Sequence, residues 1–462
     1  MPTSTAYGDR SPHSFWPRVR EFAVPPAMIE TATARRNAGD WAGACAAARV
    51  DIDLDPRAVA RAHGRELAAR VRADLRRLAP DLLRWHLPRI APDGLLRPGL
   101  TVSLARYDPP DRPGAIAPHL VVRTPPAWAD AGQRVALALW DGSRDRAGAR
   151  HPHPRPDRRF RLDLHRHLWD AGRAPELRTR CGADAPAEDG GADAPGRRPA
   201  TGRWAAEAAI LLGTEGRAEG RSDGRFTVRL GTRRRLLLEL RPQQAGGGAA
   251  AFRAVPPGDR RPGPVPPELP EAATWVPPDL DLLRAGLVDA GRLHPLVAEA
   301  LAPGAATPRP PAETGPAGAV RTVDCRGAEH RIGMVDGTLA PLDHDPVELR
   351  REELLAALSG TPLPCLRVID EAHRNPQALP EVRARLAHGD TAGAIAAVEG
   401  LLGPGAVLRD GALREALAEA ARRRIAYGLF RAGLDTHGLR GPWEETRPGP
   451  RARTRPRHAL AR

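Results

Sequence analysis

Apolar residues recur at helical spacing in the first hundred residues of the chain. Between residues 56 and 84 the recurring positions are Val59, His63, Leu67, Val71, Leu75, Leu78 and Leu82. Steps of three or four residues give an amphipathic helix one apolar face. Asp55 and Pro56 precede this stripe and favour a helix start, because Asp caps the first turn and Pro fits its backbone. The pattern predicts one long helix with His63 on its core face, followed by a packed Trp85 and a hydrogen-bonded His86.

The hydrophobic pattern changes from about residue 100 onwards. Short runs rich in Val, Leu and Thr are separated by Gly, Pro and Asp, which is typical of strands joined by turns. TVSLARY, HLVVRT and RVALALW predict an antiparallel sheet, and RFRLDL predicts a further strand before a helix near 168–180. RFTVRL and RRRLLLEL predict a hairpin around Gly231-Thr232. AVRTVDC and HRIGMVDGTLAPL predict another hairpin, with Asp336-Gly337 as its turn.

Helical signals return at residue 345. Asp345 as N-cap, Pro346 at the first helical position and Glu348 at the third form an Asp version of the capping box. A final helix is predicted from one stripe of apolar positions: Leu413, Leu417, Ala421, Ile425 and Leu429. These patterns predict an α+β fold class, in which helical N- and C-terminal regions flank small antiparallel β-sheet regions, with Pro/Gly-rich linkers between them.

The 46 glycines and 50 prolines of the chain mark the ends of the patterned segments. For the first half we predict a disordered arm at 1–25, a helical region at 26–95, an antiparallel β region with a basic loop and a helix at 96–181, a linker at 182–202, and a helix plus β-hairpin at 203–241. For the second half we predict a linker at 242–272, short helices at 273–303, a linker at 304–318, a β-hairpin at 319–345, a helical region at 346–440 and a basic disordered tail at 441–462.

One short sequence occurs twice in nearly the same form. Residues 39–47 are GDWAGACAA and residues 389–397 are GDTAGAIAA, which agree at seven of nine positions. Each copy predicts a Gly at a helix end and an Asp N-cap on the next helix. The motif resembles the turn of a helical hairpin in tetratricopeptide-like proteins. A separation of 350 residues is not a tandem repeat period. We therefore interpret the similarity as convergence on a good helix–turn–helix.

The chain contains no lysine, so all 70 Lys-or-Arg positions are arginine. Mechanisms that need a lysine side chain are therefore excluded, among them P-loop NTPase, protein-kinase, pyridoxal-phosphate and Schiff-base chemistry. The missing lysine and the abundant Ala, Gly and Pro indicate a GC-rich genome. That bias does not explain the formal charge of +14, which favours an anionic partner.

The sequence gives little indication of cysteine or serine chemistry. The four cysteines, Cys45, Cys181, Cys325 and Cys365, form no C-x-x-C, which argues against a structural zinc site or a disulfide scaffold. Serine-hydrolase chemistry is not predicted from the seven serines. The chain shows neither an apolar signal core nor a run of ~18 apolar residues. We therefore expect a soluble cytoplasmic protein with reduced thiols and no membrane association.

Two groups of residues are candidate metal or catalytic sites. His165 and His167 alternate, and on a strand they would share a face and could bind one metal ion; a helix start here would separate them. Cys325, His330 and His344 flank the second predicted hairpin together with Asp343 and Asp345, a set suited to a metal or to thiol catalysis with Cys325 and His330. The alternatives are a solvated strand face and a core cysteine. No cofactor is predicted, and zinc or another divalent metal remains open.

A third candidate is a basic loop. Its arginines form the predicted nucleic-acid or anion site: Arg144, Arg146, Arg150, Arg155, Arg158 and Arg159. Guanidinium groups suit phosphate oxygens, but Phe160 is the lone aromatic residue available for base stacking in this loop. The competing interpretation is solvated arginine in a biased composition.

The sequence therefore leaves the biochemical activity open and favours a protein without catalytic function. We favour an interaction or scaffold protein with a protein partner, because the chain combines several small segments with long linkers and shows no recognisable set of catalytic residues. The alternatives are a nucleic-acid-binding protein that uses its arginines and a metal- or thiol-dependent enzyme. The sequence does not determine the oligomeric state.

Overall fold

The structure is a computed structural model of the 462-residue chain. It describes residues 16–108, 116–130, 132–143, 151–185, 197–219, 224–231, 234–241, 251–256, 265–304, 321–325, 328–335, 338–359 and 363–434. Within these residues, helices and several small sheets confirm the α+β fold class. No helix in these ranges is both long and apolar enough to cross a membrane. The predicted tail at 441–462 lies outside the described residues.

Short helices build the N-terminal part. They are α1 (Trp16–Phe22), α2 (Pro26–Asn37), α3 (Trp41–Ala47), α4 (Pro56–His63), α5 (Arg65–Arg77) and α6 (Pro80–His86), with strand β1 (Val50–Ile52) between α3 and α4. The predicted single helix at 56–84 is wrong. Gly64 takes a φ of 90°, which interrupts the helix, and the extended backbone at Ala79 ends α5 before Pro80 opens α6.

Helix α1 corrects the prediction of a disordered arm at 1–25, because residues 16–22 of that arm are helical and Val19 and Phe22 are buried. Arg20 fastens it: Nη1 donates to the Trp85 carbonyl at 2.8 Å, and Nη2 lies 2.9 Å from Asp279 Oδ1. The guanidinium also lies over the Trp85 ring, 4.2 Å from its centroid. Trp85 is buried as predicted, whereas His63 is half-buried and its Nε2 lies 3.2 Å from Asp141 Oδ2. His63 is therefore not a core histidine.

The predicted three-stranded antiparallel sheet is present and has a fourth strand. After β2 (Arg89–Ile90) and β3 (Leu95–Leu96), its strands are β4 (Thr101–Arg106), β5 (His119–Arg123) and β6 (Val135–Trp140), in the order β1-β6-β5-β4. Strand β1 pairs parallel to β6, with Val50 opposite Val135. The apolar face of this four-stranded sheet packs on the N-terminal helices and forms the main core.

RFRLDL was predicted as a strand, and this is wrong. The run makes a single bridge, from Ser103 to Arg161, and then turns into 3-10 helices at Arg166–Leu168 and Ala171–Glu176 before α7 (Leu177–Arg180). Arg161 directs its guanidinium at Asp163, with Nε 2.9 Å from Oδ1, so charge pairing rather than a strand ladder fixes this segment. The alternating histidines that follow therefore do not lie on a strand face.

A second core forms between residues 204 and 275. Its elements are α8 (Trp204–Glu219), β7 (Arg225–Arg229), β8 (Arg235–Arg241), β9 (Ala251–Ala254) and α9 (Glu271–Thr274), whereas α10 (Pro278–Arg284) and α11 (Pro295–Leu301) contribute to the main core. Trp204, Phe226 and Trp275 are buried in this core. The predicted β7–β8 hairpin is present, and β9 extends it inside a stretch that was predicted as a linker. The predicted linker at 242–272 is therefore wrong at residues 251–254.

The C-terminal part begins with a three-stranded sheet of β10 (Arg321–Cys325), β11 (Ala328–Val335) and β12 (Thr338–Pro341). Its helices are α12 (Pro346–Ser359), α13 (Pro364–Arg374), α14 (Leu379–Ala387), α15 (Thr391–Leu402) and α16 (Ala412–Ala432). The Asp345 N-cap is confirmed, since its Oδ1 accepts from Val347 N at 3.0 Å. The single stripe predicted for α16 is wrong: Leu413 is buried, but Ile425 is 64% exposed.

The C-terminal helices dock on the N-terminal sheet. Arg49 Nη1 donates to the His388 carbonyl at the end of α14, at 3.0 Å. On α16, the Tyr427 hydroxyl donates to Asp51, and Arg431 pairs with Asp53. Glycine is required at this junction, because a Cβ at Gly389 would lie 2.0 Å from the Gly132 carbonyl oxygen. Residues far apart in sequence thus form one interface.

Candidate functional site

A cavity of about 210 Å³ opens where α1, the 3-10 segment, α7 and α9 meet. Aromatic and aliphatic side chains form much of its wall: Trp16, Leu87, Phe160, Leu162, Leu177 and Trp275. Five arginines share the wall: Arg89, Arg161, Arg180, Arg197 and Arg203. Glu271 is the single carboxylate among the described lining residues, and it pairs with Arg197 at 2.5 Å. We call this space the central cavity.

Arg89 lies on β2, just after α6, and backbone carbonyls hold its guanidinium in place. Its Nη1 donates to the Gly94 carbonyl and its Nη2 to the Arg84 carbonyl, both at 3.0 Å. Its Nε is buried and has no hydrogen-bond partner among the described residues. Burial, with a smaller contribution from Arg20, lowers the pKa of Arg89 to about 9. This guanidinium therefore carries a charge that no carboxylate of the described ranges neutralises.

Arg203 belongs to a buried network around Glu207. Arg180 grips the Glu207 carboxylate with Nε and Nη2, both at 2.7 Å, while Arg203 Nη2 lies 3.7 Å away. The Arg203 Nε and Nη1 atoms are buried and find no partner in the described part of the chain. Burial lowers the pKa of Arg203, and Glu207 offsets this only in part. Arg180 is thus neutralised, and Arg203 retains two unused donors.

Two histidines of the wall are held neutral. The His86 Nδ1 lies 3.0 Å from the Leu82 carbonyl and 3.1 Å from the Leu168 carbonyl, so this nitrogen carries the proton. Burial lowers the pKa of His86 to about 4 and, together with His165, the pKa of His167 well below its usual range. His86 Nε2 and His167 Nδ1 are buried without a partner among the described residues. The predicted hydrogen bonding of His86 near the helix end is confirmed.

The arrangement suits one kind of ligand. Buried cations without counter-charges are costly, and an anion restores their pairing through short charge-assisted hydrogen bonds. Apolar rings in the same wall favour a ligand with an apolar body. Cys181 also lines the cavity, but burial raises the pKa of its thiol, which keeps it protonated and weakly nucleophilic. The geometry therefore supports binding more directly than covalent chemistry.

His165 and His167 were predicted as a metal pair. The structure places their rings 5.8 Å apart at 68°, with His165 Nε2 3.1 Å from Glu207 Oε2 and Nδ1 3.0 Å from the Arg161 carbonyl. Burial opposes the charge of Glu207, but hydrogen bonds from His165 and Arg180 outweigh it and hold its pKa well below the usual range. Across the described ranges no group of three or more His, Cys, Asp or Glu is arranged to hold a metal ion. His165 therefore orients the Glu207 network, and His167 faces the central cavity.

The second candidate set is partly brought together. The His330 and His344 rings stack with centroids 4.0 Å apart, and His344 Nε2 lies 3.3 Å from the Sγ of Cys365. Cys365, at the start of α13, was not predicted for this site; Cys325 lies on β10 opposite Ala328. Parallel stacking keeps the two imidazoles from pointing at one metal ion, so this cluster lacks a ligand geometry.

The basic loop is only partly described. Arg144, Arg146 and Arg150 lie outside the described residues, and Arg155 and Arg158 are exposed. Arg159 Nη2 lies 3.0 Å from Glu271 Oε2 and its Nε lies 3.7 Å from Glu268 Oε1, so this arginine is paired with two carboxylates beside the central cavity. Nucleic-acid binding by this loop stays a prediction.

One serine motif, around Ser222, was not predicted as a candidate site. Residues 220–224 have the G-x-S-x-G spacing around Ser222. A nucleophile elbow needs a strand before the serine and a helix after it, whereas here α8 precedes and β7 follows. Residues 220–223 themselves lie outside the described ranges. The motif therefore lacks the context that would make it catalytic.

No protein-family model, curated protein or solved structure matches this chain. The chemistry of the cavities is therefore the best guide to function. The wall residues of the central cavity come from six separate stretches between Trp16 and Pro278, and no local motif connects them. The sequence signal that was available is the excess of arginine, which does not show which arginines are buried.

Proposed function

We propose that the protein binds a small organic anion with an aromatic or other apolar body in the central cavity. The carrying observation is the coexistence of apolar rings with buried, unpartnered nitrogens on Arg89, Arg203, His86 and His167. This proposal refines the expectation of an anionic partner, which arose from the formal charge of +14.

Charge selects the acidic group of such a ligand. Arg89 and Arg203 have lowered pKa values because burial disfavours their charged forms. A carboxylate, sulfonate or phosphate beside them would return these pKa values toward the ordinary range, and that gain is available only to an anion. The apolar wall in turn removes the ligand's ring from water, at roughly 25 cal/mol per Å² of buried apolar surface.

The neutral histidines select a hydrogen-bond donor. Because the His86 proton lies on Nδ1, its Nε2 is a lone-pair acceptor. A hydroxyl or amide N–H on the ligand would satisfy it. The best ligand is therefore an aromatic acid that also carries a hydroxyl or N–H group.

The test uses two matched probes, 2-naphthoate and its neutral isostere 2-naphthalenemethanol, in calorimetric titrations. We expect the carboxylate to bind at least tenfold more tightly than the alcohol, and Arg203→Gln to reduce its affinity at least tenfold. Arg158→Gln, at an exposed arginine outside the cavity, is the control and leaves binding unchanged.

Equal affinities for the two probes, or a native affinity in Arg203→Gln, would contradict the proposal. Should Arg203→Gln unfold, Leu177→Phe fills the apolar wall without touching a charge. It is expected to weaken 2-naphthoate binding by a similar factor, and the thermal transition shows whether it folds.

A protein-interaction role remains a second proposal, supported by the outer face of α12. Val347, Leu354 and Leu358, spaced at i, i+7 and i+11, are 59%, 64% and 86% exposed. Exposed apolar side chains on one helix face favour association. A Leu354→Glu, Leu358→Glu double variant should lose a stoichiometric partner that native protein retains in affinity purification. Recovery of the same partner with the double variant would count against this role.

A further inference from the structure

We propose that a second cavity, at the junction of the N-terminal sheet and the C-terminal helices, binds a phosphorylated small molecule through four arginines. This junction cavity measures about 260 Å³ and is separate from the central cavity. The arginines in its wall are Arg49, Arg134, Arg423 and Arg424. No described lining residue of this cavity carries a carboxylate.

The four guanidiniums reach the cavity from three segments. Arg49 follows α3, Arg134 precedes β6, and Arg423 and Arg424 lie on consecutive positions of α16. Charges that arrive from several directions suit the tetrahedral oxygens of a phosphate group better than a flat carboxylate. The small residues Gly132, Ala392 and Ala420 leave the space between them open.

The arginines differ in how well they are neutralised. Arg134 pairs with Asp51, and Arg423 Nε lies 3.3 Å from Glu419 Oε1. Arg424 is exposed and forms no ion pair with the described residues. The Nη1 of Arg49 donates a hydrogen bond to the neutral carbonyl of His388 and not to a carboxylate. Two of the four cations are therefore available to a ligand.

Arg49 carries the clearest sign of a missing counter-charge. Its backbone is held at a φ of 60°, in the left-handed region that non-glycine residues rarely adopt. Burial lowers its pKa; Asp390 offsets this in part, and the neighbouring Arg134 lowers it further. A strained backbone that places a half-buried cation in a wall with three others is costly unless an anion uses it.

The walls distinguish this ligand from that of the central cavity. No aromatic ring lines the described wall of the junction cavity, and Thr391 supplies a hydroxyl at the start of α15. The chemistry thus favours a compact polyanion, of the pyrophosphate or phosphate-ester class, over an aromatic acid. Since both parts of the molecule contribute arginines, the ligand would also hold α14–α16 against the sheet.

Inorganic pyrophosphate is the probe, titrated calorimetrically at low ionic strength, where charge pairing is least screened. We expect saturable binding that Arg424→Gln weakens at least tenfold, with the folded state intact because Arg424 is exposed. Arg49→Gln is expected to weaken it further. The matched control Arg383→Gln, at an exposed arginine on α14, and Arg203→Gln in the central cavity both leave pyrophosphate binding unchanged.

A second readout is thermal: pyrophosphate should raise the melting temperature of native protein, and by much less in Arg424→Gln, since a ligand stabilises the state that binds it. The proposal is overturned by the absence of saturable pyrophosphate binding at low salt, or by native affinity in Arg424→Gln. Loss of binding in Leu177→Phe, or in Arg203→Gln with a native thermal transition, would also overturn it, because the ligand would then occupy the central cavity.

Discussion

The two helical turns that share nearly one sequence also share one structure. Gly39 and Gly389 have φ values of 76° and 81°. Asp40 Oδ1 caps α3 by accepting from Gly43 N at 2.8 Å, and Asp390 Oδ1 caps α15 by accepting from Gly393 N at 3.0 Å. The resemblance extends beyond the nine-residue motif, since Arg35 pairs with Asp40 and Arg385 with Asp390.

The surroundings of the two turns are different. A Cβ built at Gly39 meets nothing within 4 Å, whereas at Gly389 it would collide with Gly132 and with Arg49. At the seventh position of the motif, Cys45 is fully buried and Ile395 is 45% exposed. The local sequence therefore determines the turn, and distant residues determine whether the turn becomes an interface.

The largest difference is expected between Gly389→Ala and Gly39→Ala. Both substitutions place a side chain at a positive φ, which costs about 1 kcal/mol. Gly389→Ala also pushes the turn away from the Gly132 carbonyl oxygen, and we expect a total of roughly 3 kcal/mol. Urea unfolding measures both. Equal losses of stability would show that the close approach of the two glycines contributes nothing.

Removal of the N-cap aspartate should also destabilise the protein to different extents at the two turns, and this difference should be smaller than that between the glycine variants. Asp40→Ala and Asp390→Ala each remove an N-cap, worth about 1 kcal/mol. Asp390 is buried and also holds Arg385 Nη1 at 2.8 Å, whereas Asp40 is half-exposed. We expect Asp390→Ala to cost about 1 kcal/mol more than Asp40→Ala in the same denaturation experiment. A larger loss from Asp40→Ala would reverse the assigned importance of the two turns.

Substitution of the arginine that pairs with each N-cap aspartate should again cost more stability at the Asp390 turn than at the Asp40 turn. Arg35 is exposed, and an exposed ion pair contributes at most about 1 kcal/mol. Arg385 also donates to Glu381 and lies over the Phe22 ring, 4.7 Å from its centroid. Arg385→Gln is therefore expected to destabilise by about 1 kcal/mol and Arg35→Gln by a few tenths. Raising the salt concentration should reduce the difference between these two losses of stability only slightly, because part of it comes from the contact of Arg385 with the Phe22 ring and not from ion pairing.

Local signals predicted local structure well. Asp345 and Asp55 cap the helices that their spacing indicated, and the alternating runs between residues 101 and 140 form the expected antiparallel pairs. The apolar stripe continues on both sides of Gly64, so periodicity gives no sign of the break there. The φ of 90° at Gly64 shows that backbone freedom overrides periodicity at a single residue.

Long-range features could not be predicted in this way. The pairing of β1 with β6 joins residues more than eighty positions apart, and no periodicity encodes it. His165 was recognised by residue type, but its role depends on Glu207, which lies 42 positions away. Arg89 and Arg203 are two of many arginines, and only the structure shows that both line the central cavity with unpartnered nitrogens. The candidate site was therefore predictable in its charge and not in its residues.

The smallest effect on stability, and the sharpest contrast between the turns, is expected at the seventh motif position. Burial, assisted by Asp40, raises the pKa of Cys45 to about 12, so its thiolate is scarce at pH 8. Ile395→Cys places a thiol at the equivalent exposed position, at a cost of under about 1 kcal/mol. We expect this variant to show one additional fast-reacting thiol with a disulfide reagent, while peptide mapping finds Cys45 modified only on unfolding. Fast modification of Cys45 in the native protein would mean that α3 opens readily, and that the two turns differ in stability rather than in surroundings.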